Sequence, residues 1–252
     1  MDHPRLRIGH LYAEEMNIYG DRGNVLTLQR RAQWRGIEVR IETIGRGAAP
    51  AASDFDLLFW GGGQDRDQAL VFDDLVERKA SFIRAAVAAG TVVLAVCGGY
   101  QLLGEYYVTA DGRRLDGLNL LDLHTVPGSR RNIGNVLVDA AELGIRPPTL
   151  VGFENHSGRT YLGAGVTPLG RVLHGFGNNG EDGTEGVVSG TVFGTYLHGS
   201  LLPKNPQLAD LLIGLSLRRR GVAGLDPLDD TIELAAHQAM AGRLSARSAR
   251  RT

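Results

Sequence analysis

The chain has one cysteine, Cys97, among 252 residues, which rules out an internal disulfide and fits a reducing compartment. Long apolar runs are also missing. No segment reaches the roughly twenty apolar residues of a membrane span. Met1-Asp2-His3-Pro4-Arg5 begins without the apolar stretch of a leader. A cytoplasmic protein without membrane insertion is therefore expected. Neither sign of charge is in excess: 27 Lys and Arg face 28 Asp and Glu, a formal net charge of −1 spread along the chain. That argues against a nucleic-acid partner. The local exception is Arg243, Arg247, Arg250 and Arg251 among alanine and serine, which read as a frayed, solvated end. Phosphate-loop chemistry is lacking too, because Gly61-Gly62-Gly63 is not followed by the lysine and serine or threonine that such a loop needs. No metal or cofactor is expected.

What is present alternates. Strand-like runs at Leu6–Tyr12, Ile37–Ile44, Asp56–Trp60 and Thr91–Val96 are separated by helical patterns at Asn24–Trp34 and Leu70–Ala89. This predicts an α/β fold with a mostly parallel central sheet and helices on both faces. The second half changes character. Short β-like runs at Ile133–Val138, Leu150–Glu154, Leu169–Leu173 and Val192–Leu197 suggest mixed or antiparallel strands, and helices at Gln207–Arg219 and Asp229–Arg243 close the chain. No linker or internal repeat divides it, so one domain over 1–252 is expected, with its core at about 6–213.

Cys97 stands where the apolar run Thr91–Val96 must turn into a helix beginning Gly98-Gly99-Tyr100. Small residues crowd that turn, as at a nucleophile elbow, and the first free helix N–H groups point toward the sulfur. The alternative is a cysteine that is simply a small buried hydrophobe. Of the seven histidines, His198 follows Val192–Leu197 and precedes Gly199, at the carboxyl end of a strand where ligands collect in open α/β sheets. His124 and His156 are similarly placed but suit loop hydrogen bonds equally well, and His237 lies within a helix and suits packing. Gly61-Gly62-Gly63, one βα unit before the cysteine, reads either as a plain turn or as a loop that aims N–H groups, with that of Gly98, at an oxyanion.

Cys97-Gly98-Gly99-Tyr100-Gln101-Leu102-Leu103-Gly104 and Gly194-Thr195-Tyr196-Leu197-His198-Gly199 resemble the class I glutamine amidotransferases of the cobyric acid synthase type, with a flavodoxin-like three-layer sandwich. Met16-Asn17-Ile18-Tyr19-Gly20-Asp21-Arg22-Gly23-Asn24 narrows the resemblance to the glutaminase subunits of lipid II isoglutaminyl synthases. It runs from about Leu6 to about Ile213. It implies that Cys97 attacks the amide of L-glutamine, that His198 shuttles the proton, and that Arg131, in preference to its neighbour Arg130, holds the α-carboxylate, the alternative for Arg131 being a solvated strand-edge cation; the oxyanion hole is expected from Gly63 and Gly98. It also implies a heterodimer with an ATP-dependent Mur-ligase-like synthetase subunit that receives the ammonia.

One departure bears on mechanism. Many class I amidotransferases carry a glutamate two residues after the histidine, and here that position is Ser200. The acid that orients His198 is then either another acid of this chain, such as Glu154, or a carboxylate of the partner. The rival functions are an amidotransferase of another pathway, such as corrinoid amidation, and a catalytically silent partner-binding module.

Overall fold

A computed structural model describes residues 4–198 and 201–248 of the chain. β1 (Arg5–Leu11), β2 (Glu38–Ile44), β3 (Leu57–Trp60) and β4 (Val92–Val96) are four parallel strands formed by the apolar runs of the first half. β3 and β4 are buried at every position, as strands covered on both faces must be. Between them lie α1 (Arg22–Gln33), α2 (Asp65–Asp74) and α3 (Ala80–Ala88). The helix expected over Leu70–Ala89 begins five residues earlier, because the Asp67 carboxylate accepts the Gln64 N–H and starts it directly behind the glycine loop. A π-helical turn over Leu75–Lys79 then separates α2 from α3.

After α4 (Gly98–Leu102) the chain builds a second sheet from β5 (Tyr106–Val108), β6 (Arg114–Asp116), β7 (Leu123–Asp139), β8 (Thr149–Leu162), β9 (Gly170–His174) and β10 (Thr184–Glu185). Apart from the parallel β5–β7 pair it is antiparallel, and β7 and β8 form its long central arm. The expected runs Ile133–Val138 and Leu150–Glu154 are only the apolar thirds of these strands. Their glycine- and arginine-rich remainders pair as well, around a break in register between Pro127 and Asn132. The chain then returns to the first sheet through β11 (Val187–Ser189) and β12 (Val192–Thr195), giving the order β11-β12-β4-β3-β1-β2 with only β11 antiparallel.

α5 (Leu201–Lys204), α6 (Pro206–Arg218) and α7 (Thr231–Ser248) follow. α6 packs on β1, β3 and β4, while α7 lies across β7, β8 and β9. α7 runs beyond the expected Arg243 to Ser248, and the end of the basic tail lies outside the described residues. One apolar core, from Leu6 to Leu217, joins the two sheets. Among the described residues no helix is long and apolar enough to cross a membrane.

Candidate active site

The carboxyl ends of β1, β3, β4 and β12 stand side by side, with Leu11 opposite Trp60, Trp60 opposite Ala95 and Val96 opposite Thr195. Each strand delivers one part of the site at this edge. After β4 comes Cys97, whose φ of 50° is a conformation that a residue with a Cβ holds only at a cost. Its N–H donates to Thr195 O at 2.8 Å and its carbonyl accepts the Gln101 N–H at 2.9 Å, so strand and helix both fix the bend. Glycine is required beyond it: a Cβ at Gly99 would stand 2.8 Å from Trp60 Cγ. The sulfur residue is 8 % exposed, at the floor of a cleft.

After β12 comes His198, fully buried, and an antiparallel bridge to Phe153 of β8 holds its backbone. Its Nδ1 lies 3.4 Å from Asp21 Oδ1, an acid 177 positions earlier that follows β1 and immediately precedes α1. The other Asp21 oxygen accepts the Gly62 N–H at 2.7 Å, so one carboxylate ties the histidine to the glycine loop after β3. Gly62 sits among all three side chains. A Cβ there would meet His198 Cε1 at 2.7 Å, Asp21 Oδ2 at 3.2 Å and Cys97 Cβ at 3.2 Å. Burial opposes a charge on His198, but the Cys97 sulfur, as a charge and a hydrogen-bond partner, and the Asp21 carboxylate outweigh it. The imidazole is raised to about 10. With Nδ1 turned to Asp21, Nε2 is the ring nitrogen left for the sulfur.

A cleft of about 300 Å³ opens over Cys97, lined among others by Gly63, Gln101, Arg131, Asn155 and Gly158. Gly63 and Gly98 adjoin, since a Cβ on Gly98 would stand 3.0 Å from the Gly63 nitrogen. Arg131 lies on β7 at the rim, its Nε donating to Asn155 Oδ1 at 2.6 Å. Behind the cleft a chain of hydrogen bonds runs from Gln68 to Gln101, to the Tyr196 hydroxyl, to Thr160 and to Thr125.

Glu154, one of the two expected sources of the orienting acid, does not face His198. Its oxygens accept the N–H groups of Phe176 and Gly177 at 2.8 and 2.9 Å, and Oε2 lies 3.6 Å from His156 Nε2. The acid beside His198 is instead Asp21, another acid of this chain, and not Glu154. Ser200 itself lies outside the described residues. His156 stacks on Tyr196 with ring centroids 3.7 Å apart, and burial lowers its pKa. His124 is stacked between Tyr106 and Tyr161. His237 is a buried packing histidine that bridges Thr149 and the Lys204 carbonyl. Asp21 lies within the Met16–Asn24 motif, where the sequence alone assigns it no role. The available signal was an acid just before a helix at a strand's carboxyl end, and nothing local said which histidine it would meet.

Residues 7–206 match the model of the CobB/CobQ-like glutamine amidotransferase domain, and the chain belongs to that family. It is 39 % identical to the lipid II isoglutaminyl synthase (glutamine-hydrolyzing) subunit GatD of Staphylococcus aureus strain N315, over 94 % of this chain and 96 % of that one. To the subunit of the same name from Streptococcus pneumoniae it is 41 % identical, over 86 % and 82 %. The probable cobyric acid synthase of Methanothermobacter thermautotrophicus matches at 39 % over 55 % of this chain, but over only 29 % of its own length. Among solved structures, PurLQS from Thermotoga maritima superposes with a TM-score of 0.56 at 16 % identity, covering 86 % of this chain and 97 % of that one. The glutaminase domain of Trypanosoma brucei CTPS with bound acivicin gives 0.55 at 11 %, covering 88 % and 98 %, a likeness of fold.

Proposed function

We propose that this chain is the glutaminase subunit of a lipid II isoglutaminyl synthase. It hydrolyses L-glutamine and passes the ammonia to an ATP-dependent Mur-ligase-like subunit that amidates the D-glutamate of the peptidoglycan precursor. The observation that carries the chemistry is the convergence of Cys97, His198 and Asp21 around Gly62, beneath an open cleft. The assignment to lipid II rests on the two subunits that match this chain over most of its length, where the cobyric acid synthases match little more than half.

In this reading the Cys97 thiolate attacks the carboxamide carbon of glutamine, and the N–H groups of Gly63 and Gly98 hold the oxygen that becomes an oxyanion. As the C–N bond breaks, the imidazolium of His198 gives its proton to the departing ammonia, leaving a glutamyl thioester. The neutral imidazole then takes a proton from water, which attacks the thioester and releases glutamate and the Cys97 thiolate. Arg131 pairs with the α-carboxylate of the substrate. Asp21, by keeping a proton on Nδ1, holds His198 in the orientation that serves the sulfur. No ATP chemistry is asked of this chain.

Cys97→Ser keeps the size of the side chain and removes the nucleophile. Glutamate release by the complex should fall by about a thousandfold or more. Amidation driven by added ammonium chloride through the partner should persist. Glutamate release near the wild-type rate would overturn the reading.

A further inference from the structure

Arg131 is displayed by an irregularity in β7, and that irregularity is built around a second arginine. Pro127 pairs with Gly158 and Asn132 with His156, so four residues, 128–131, stand against the single residue Ser157 of β8. A bulge of that size leaves backbone groups without ladder partners. Arg159 supplies several. Its Nη1 donates to the carbonyls of Ser157 and Gly158 at 3.1 and 3.2 Å, and its Nη2 to the Arg130 carbonyl at 2.8 Å and to Asn132 Oδ1 at 3.0 Å. Gly128 makes the room, since a Cβ there would stand 2.6 Å from Arg159 Cζ. The guanidinium thus spans both strands of the bulge, and its acceptors include the residues on either side of Arg131.

Charge adds to this geometry. Arg159 is 9 % exposed, and a cation so buried is ordinarily held by a carboxylate. These four acceptors are neutral, so they leave its charge unneutralised behind Ser157 and Gly158, which line the cleft over Cys97. Arg131 is meanwhile fixed at its own Nε by Asn155.

We infer that Arg159 is a positioning residue of the glutamine subsite: it holds the bulge that presents Arg131 to the substrate's α-carboxylate and adds a second positive charge behind it. The inference rests on the reading of Arg131 given above.

Three variants disturb the device differently. Arg159→Met removes the fork and the charge, Arg159→Lys keeps the charge alone, and Gly128→Ala keeps Arg159 but displaces its guanidinium. In the complex each should raise KM for glutamine by about tenfold, the size of one charge-assisted contact, with kcat within about threefold of wild type. A readout independent of turnover is the alkylation of Cys97 by iodoacetate relative to neutral iodoacetamide. That ratio should fall in Arg159→Met and in Arg131→Ala, because both lose positive charge beside the thiol. If Arg131→Ala raises KM and lowers the ratio while the Arg159 and Gly128 variants do neither, the inference fails and the reading of Arg131 stands. If Arg131→Ala changes neither, both fail together. Equal losses in kcat and kcat/KM, or loss of folding in all three variants, would make Arg159 a purely structural residue and overturn the inference.

Discussion

Two opposed effects meet at His198. Full burial disfavours the imidazolium, whereas a sulfur and a carboxylate on either side favour it, and the second effect prevails. At neutral pH His198 is therefore an imidazolium beside the Cys97 sulfur, the acid needed to protonate the leaving group of an amide. The acid function is lost as pH rises through about 10. Asp21→Asn removes one favouring charge and reverses the hydrogen-bonding preference at Nδ1. The His198 pKa should drop, the alkaline limb of the kcat profile should move to lower pH, and kcat should fall by about a hundredfold or more. A variant with an unchanged profile would show that some other acid orients the histidine.

Among the elements, α1 links the site to the rest of the molecule. Asp21 immediately precedes it, and Asn24 in its first turn accepts the Leu202 N–H at 2.9 Å, so the chain is gripped at His198 and again four residues later. At its far end Arg31, 2 % exposed, makes paired hydrogen bonds to Asp210 of α6 and to Asp230 just before α7. Arg31→Met should leave Asp230 half-buried without its cation, with Asp210 held by Arg35 alone, and destabilise the protein by about 3 kcal/mol, read as a lower urea midpoint. A shift below about 1 kcal/mol would class the cluster with ordinary surface pairs. α1 was legible as a helix because its apolar positions recur with a 3.6-residue period. β7 and β8 were legible only where they are apolar, because a bulge that seats an arginine carries no alternation to read.

For the whole molecule, pH acts on stability from both sides. His10, buried on β1, is lowered by desolvation from 6.5 to about 4, and burial lowers His156 and His237 as well. These groups stay neutral in the native state while the unfolded chain takes up protons near 6.5. Stability should therefore fall as pH drops below 6.5, by at most about 1.4 kcal/mol per pH unit for each group. For His10 the loss is complete at about 4. His198 has the opposite sign: its raised pKa contributes stability that is fully present below 6.5 and lost as pH rises through about 10. Urea midpoints at pH 7, 6 and 5 should decline, and His10→Phe should reduce the slope. Glu185, raised to about 7 by burial, acts in the opposite direction over the same range, so a slope unchanged in His10→Phe, rather than a flat series, would contradict this distribution of buried histidines.

The sequence by itself determined what short-range patterns encode. Continuous apolar runs specified parallel strands, and glycines after Cys97 specified a tight strand-to-helix turn, because a Cβ would not fit there. Cys97 and His198 were identifiable because each ends such a run. Tertiary structure decided which acid meets His198, since strand order alone places the ends of β1 and β12 at one edge and joins residues 177 positions apart. It also decided that Glu154 is taken up by the Phe176 and Gly177 amides, and that Arg159 fills the bulge under Arg131. Spacing along the chain fixes local conformation, but contact between distant side chains depends on which strands lie side by side.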